Sequence, residues 1–168
     1  MAIHETVIVW TARCAVLCML ARLVITMRSG GGIPLRSECL VWTTGWLVFL
    51  LHVWAAFQFR HDWSHADALR HTAKQTASVI GWNWGGGLYF NYVFTVLWGV
   101  DVAADWRAYG FRRVRCSVWQ IALRWFLAFM AVNATLVFGH PGWWVIAVLL
   151  ALLLLIRRGG WPGGIVAD

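Results

Sequence analysis

The chain alternates long apolar runs with short stretches of arginine, glycine and histidine. A helix needs roughly 20 mostly apolar residues to cross a hydrocarbon core. Five runs approach that requirement, at about 5–27, 40–59, 86–105, 118–138 and 143–156. The first is interrupted by Arg13 and Arg22, and the last, WWVIAVLLALLLLI, is short. Trp143 and Arg157 flank that last run and extend it into the interfaces, where aromatic rings and snorkelling cations sit well. SGGGIP (29–34) and GHPG (139–142) break the chain between runs one and two and between runs four and five. Such glycine- and proline-rich pieces mark turns. The expected fold is all-α: a transmembrane helical bundle of about five spans, forming one integral-membrane domain over residues 1–168.

Between the second and third runs lies FQFRHDWSHADALRHTAKQT (57–76), whose period differs. On a helix, His61 and His65 stand one turn apart on a stripe with Gln58, Thr72 and Thr76. Trp63, Ala66, Arg70, Ala73 and Ala77 fall on the other side. This spacing predicts a short interfacial amphipathic helix over 58–80, continuing from the second span.

Composition supports a membrane solvent. Of 168 residues, 61% are hydrophobic and 12% charged, about half the charge of a typical soluble domain. The fourteen tryptophans fit the aromatic belts of membrane interfaces. The net charge of +7 does not point to nucleic acid, because the basic residues lie between apolar runs as topology signals. The N-terminus lacks a basic leader and a small-residue cleavage site, so the first run reads as a retained helix. Cys14, Cys18, Cys39 and Cys116 form no CxxC pair and read as small buried hydrophobes rather than metal ligands or disulfides.

Arginine and lysine set the orientation. With five spans, Arg60, Arg70 and Lys74 fall on the side of the N-terminus. Arg28, Arg36, Arg107, Arg112, Arg113, Arg115, Arg157 and Arg158 fall on the other. The richer side is expected to be cytoplasmic, which puts the N-terminus outside and the C-terminus inside. His4, His52, His61, His65, His71 and His140 then all lean to the outer face.

The candidate chemistry follows. His61 and His65 at i, i+4, joined by His71, His52 and His140, are the candidate metal ligands, since one helical face supplies two ligands at that spacing. Ordinary interfacial histidines and acid–base groups are the competing readings. Six histidines with one HxxxH fall short of a membrane di-iron hydroxylase. GWNWGGGLYFNY (81–92) opens the third run; its three glycines permit a sharp turn or a close helix approach. It lacks the Lys-Ser/Thr ending of a phosphate loop. Asn83, Asn91, Tyr92 and Asn133 add polar groups near the outer face. Asp101 and Arg124 lie at matching depth, and an unpaired charge there costs a few kcal/mol, so the two are expected to form a structural intramembrane pair. Arg13 has Glu5 as its nearest acidic residue. There is no G-x-S-x-G elbow and no HExxH.

HDWSHADALRHTAKQTA, GWNWGGGLYFNYVFTVLWGVDVAADW and NATLVFGH together resemble a group of small polytopic bacterial membrane proteins. The resemblance covers about residues 50–140. It implies a bacterial inner-membrane location and carries no activity, cofactor or site with it.

Two functional readings stay open, and neither names a cofactor. The first is a membrane subunit or small binding protein with an outward-facing His/Asn/Tyr-lined site, its partners the lipid bilayer and other membrane subunits. The second is a metal-dependent membrane enzyme or redox protein (Zn, Cu or Fe/haem) built on the His61/His65 cluster. A transporter is disfavoured, because VFTVLWGV separates the outer polar residues from Asp101.

Overall fold

A computed structural model of the chain describes residues 3–29, 32–114, 118–137, 139, 142, 143 and 145. The described residues hold five α-helices, α1 (Ile3–Ser29), α2 (Arg36–Arg60), α3 (His65–Ile80), α4 (Gly87–Gly110) and α5 (Val118–Val132), and no strand. The chain divides into two compact units, Met1–Ala131 and Val132–Asp168. In the second unit, Asn133–Val137 forms one π-helical segment. The expected fifth span, 143–156, falls almost entirely outside the described residues.

Four helical stretches have the length and apolar composition to cross a membrane: Ile3–Ser29, Arg36–Arg60, Gly87–Gly110 and Val118–Val137. They match the first four expected runs with ends displaced by a few residues. Each is apolar around most of its circumference and buries only a narrow stripe, as helices do when their outer faces meet lipid. On α1 the buried residues are Ile8, Ala15 and Arg22, seven apart, so they stand in one row along the helix. On α4 they include Leu88 near its start and then Phe94, Trp98, Asp101, Val102, Asp105 and Ala108, again one face, since 94, 98, 101, 105 and 108 step by three and four. The charged residues of both helices therefore sit on the packed stripe.

α1 and α2 form an antiparallel hairpin. Near one end, His52 Nδ1–H donates to the Ile8 carbonyl at 2.9 Å. Near the other, Thr26 and Ser29 donate to Glu38 at 3.1 and 2.8 Å. Gly45 is where the backbones crowd: a Cβ there would meet Cys18 Cβ at 2.8 Å and the Trp98 ring at 3.0 Å. α4 packs on α2 through Trp42, Phe94 and Trp98, and Leu123 and Leu127 of α5 join the same core. Trp46 Nε1 donates to the Thr95 carbonyl at 3.0 Å and Trp106 Nε1 to Thr43 at 2.9 Å.

α3 is the expected amphipathic helix, but it does not continue α2. The chain breaks between Arg60 and His65, with Asp62 and Trp63 at φ of 43° and 58°. Ser64 caps the new helix by accepting from the Asp67 amide at 3.2 Å. This is the Ser-x-x-acid start of a capping box. Gly81, at φ +75°, closes the far end by returning its N–H to Ala77, the left-handed C-terminal turn that glycine adopts without strain. Gly85 lets α3 lie on the start of α4, because a Cβ there would stand 2.6 Å from the Leu69 carbonyl. Ser64→Ala should lower the stability of α3 by about 1 kcal/mol. Hydrogen exchange of the first-turn amides checks this; unchanged exchange at Asp67 would remove the cap from the account.

Candidate functional site

The helix ends collect two polar centres, one at each end of the α1–α2–α4 bundle. The first joins the C-terminus of α2, the turn after it and α3. His61 lies in that turn, 8% exposed, with its Nδ1 3.0 Å from Asp67 Oδ2. Asp67 also accepts from Arg70 at 3.3 Å. The hydrogen bond from His61, then that from Arg70, holds the Asp67 carboxyl below the usual aspartate range. His71, two turns into α3, faces His61 with ring centroids 5.3 Å apart. Its Nε2 is buried and has no hydrogen-bond partner. Burial, then the nearby charges of Arg60 and His61, lowers the His71 pKa, so the ring stays neutral near pH 7. Arg60 forms an ion pair with Glu5 of α1.

The break in the backbone corrects the expected HDWSH face. His61 is in a turn and His65 is the first residue of α3, so the two do not share a helical stripe. His65 instead stands beside Tyr89 and Tyr92 of α4, with ring centroids at 5.8 and 5.9 Å. His52 is engaged with Ile8 and packs on Phe49. His4 lies against Phe59, with centroids 4.4 Å apart. His140 lies outside the described residues. Of the five candidate ligands, the structure brings together His61 and His71 alone among those described. No group of three or more His, Cys, Asp or Glu that could hold a metal ion occurs among the described residues. Asn83 and Asn91 are exposed near the same end, and Tyr92 is half-buried. Trp82 and Trp84 stack in parallel there, with centroids 5.4 Å apart.

The second centre is charged and buried. Arg22 of α1 reaches Asp101 Oδ2 at 3.2 Å and also pairs with Asp105. Both aspartates are fully buried. Trp42 Nε1 donates to the same Asp101 oxygen at 2.9 Å. The Arg22 guanidinium lies 4.2 Å from the centroid of the Trp42 ring, a cation–π arrangement that strengthens once water is excluded. Arg124 of α5 comes within 3.6 Å of Asp105 Oδ1. Asp101 and Asp105 stand one turn apart on α4, so four charges and one indole tie α1, α2, α4 and α5 into one network. Sequence reasoning joined Asp101 to Arg124 and passed over Arg22 and Asp105. The signal was available in spacing: Asp101 and Asp105 are i, i+4 on an apolar helix, so one cation facing that stripe meets both. Arg13, for which the sequence offers no evident acidic partner but Glu5, lies over the Trp10 ring at 5.2 Å, while Glu5 pairs with Arg60.

No family model, no curated protein and no solved structure matches the chain. The functional reading therefore rests on the two centres themselves.

Proposed function

We propose that the protein is a small multi-pass bacterial inner-membrane protein acting as a subunit or small binding protein, with its His/Asn/Tyr-lined end facing outward. One contrast carries the reading. The charged centre turns its groups on one another, as a bundle lock does. The histidine end leaves His71 Nε2 without a partner and keeps His65, Tyr89 and Asn83 exposed, as a surface built to meet something else would. The arginine asymmetry supports an outside N-terminus; with 143–156 as a further crossing, the C-terminus is cytoplasmic. The catalytic alternative on His61 and His65 loses support, since those side chains face different neighbours and no three-ligand group gathers among the described residues.

Single cysteines test the orientation. Ser78 on α3 and Arg113 after α4 are both exposed. In a chain carrying Cys116→Ser, Ser78→Cys should react with a membrane-impermeant maleimide in intact cells. Arg113→Cys should react only after lysis. The reverse pattern would turn the histidine end to the cytoplasm and end the outward-facing reading.

A further inference from the structure

The His61–His71 pair has a geometry that its own hydrogen bonds do not explain. His61 engages its Nδ1 with the Asp67 carboxylate, so Nδ1 is the donor there and Nε2 is the nitrogen left for a second partner. This is how a metal-ligating imidazole is usually oriented, its second nitrogen donating to a carboxylate. Opposite it, His71 Nε2 is buried without a partner, and an orphaned buried polar atom calls for an occupant. The ring spacing fits one. Two imidazoles bound to a single tetrahedral ion, with metal–nitrogen bonds of about 2.0–2.1 Å, place their ring centroids roughly 5 Å apart. Here they stand 5.3 Å apart with planes inclined at 60°.

The backbone holds both rings. The His61 carbonyl accepts from the Ser64 amide at 2.7 Å, and His71 lies inside a helix capped at both ends. Two of the neighbouring cations are already paired, Arg60 with Glu5 and Arg70 with Asp67, which limits their repulsion of an incoming cation, while Lys74 adds some repulsion at His71.

We propose that His61 and His71 form a two-donor site for a borderline divalent transition-metal ion of the Zn2+ or Cu2+ type, with Asp67 orienting His61 and water completing the coordination. Two imidazoles and no carboxylate in contact select such ions over Mg2+ and Ca2+, which demand oxygen ligands. Water at the remaining positions makes the ion exchangeable, so the site suits sensing or capture at the membrane surface better than a resident structural metal. The proposal rests on the binding-protein reading above and gives its ligand class.

Calorimetric titration of the full chain, purified in detergent without a histidine tag, tests it with ZnCl2 near neutral pH. The expected result is one saturable ion per chain, with no heat from MgCl2. His61→Ala and His71→Ala should each weaken binding about ten-fold or more, and Asp67→Asn by about ten-fold. His65→Ala, beside Tyr89 and Tyr92, should bind as the parent does. Where an alanine variant loses helicity by circular dichroism, His71→Gln replaces it, since the amide keeps a polar side chain at that position. Absence of saturable Zn2+ binding, or parental affinity in both the His61 and His71 variants, would overturn the site. Failure here with outward labelling of Ser78→Cys leaves the orientation reading intact. Inward labelling with Zn2+ binding retained overturns that reading and leaves the pair.

Discussion

Arg22→Leu is expected to destabilise the bundle by about 3–5 kcal/mol, the range for removing one partner of a buried ion pair. The physical reason is what remains. Asp101 and Asp105 are both fully buried, and Arg22 pairs with both. Arg124 stands 3.6 Å from Asp105 with 42% of its side chain exposed, so solvent weakens its hold on the pair. Without Arg22 the packed stripe holds excess negative charge where no water can solvate it. The penalty therefore belongs mostly to the stranded carboxylates and not to a lost attraction. That distinction has a consequence. Adding Asp101→Asn and Asp105→Asn to Arg22→Leu should recover most of the loss, because neutral amides need only hydrogen bonds. Trp42 can still donate to the amide oxygen at position 101. Reversible unfolding in mixed micelles, followed by circular dichroism, measures the series. A triple variant no more stable than Arg22→Leu would show that the cost is lost packing of the arginine stem instead.

The apolar runs made most of the helical framework legible, because an uninterrupted apolar run of membrane-spanning length leaves a helix as its natural form. The first four expected spans reappear in α1, α2, α4 and α5. The glycines of GWNWGGG signalled the close approach that Gly85 provides to Leu69. Two features were harder to read. The stretch HDWSH has helical spacing, yet it forms a turn, since Ser64 and Asp67 start a new helix and draw the chain out of α2. Local capping chemistry outweighed periodicity there, and the Ser-x-x-Asp spacing was the available sign. The contact of Asp101 with Arg22 is a different matter. Arg22 lies 79 residues away, and depth matching from sequence ranks several arginines equally. Only the rotation of α1 about its axis, fixed by Ile8 and Ala15 on the same row, brings Arg22 onto α4. Pairing across helices is a property of packing, and a single sequence carries it only as a face.

Trp98 gives the second large effect, and comparison with Trp42 separates packing from polar chemistry. Both indoles are buried and lie face to face at a tilt, with ring centroids 4.8 Å apart. Trp98 also meets Phe49 and Phe94 at 5.7 and 5.4 Å. Its Nε1 has no hydrogen-bond partner, whereas Trp42 Nε1 donates to Asp101. Trp98→Ala is expected to lose about 3 kcal/mol, the low end of the range for deleting a large aromatic from a core. The low end applies in the membrane setting proposed above, where lipid is as apolar as the core, so the transfer contribution shrinks and the loss of packing dominates. Phenylalanine then discriminates between the two positions. Trp98→Phe removes ring atoms and no hydrogen bond. Trp42→Phe removes the same atoms and also the donor to a buried carboxylate, a bond of about 1.5–3 kcal/mol. Trp42→Phe should therefore be the more damaging by roughly that difference, although Trp98 is the more deeply buried ring. Equal losses at the two positions would mean that the indole of Trp42 contributes by shape alone. The Arg22–Asp101 contact would then hold without it.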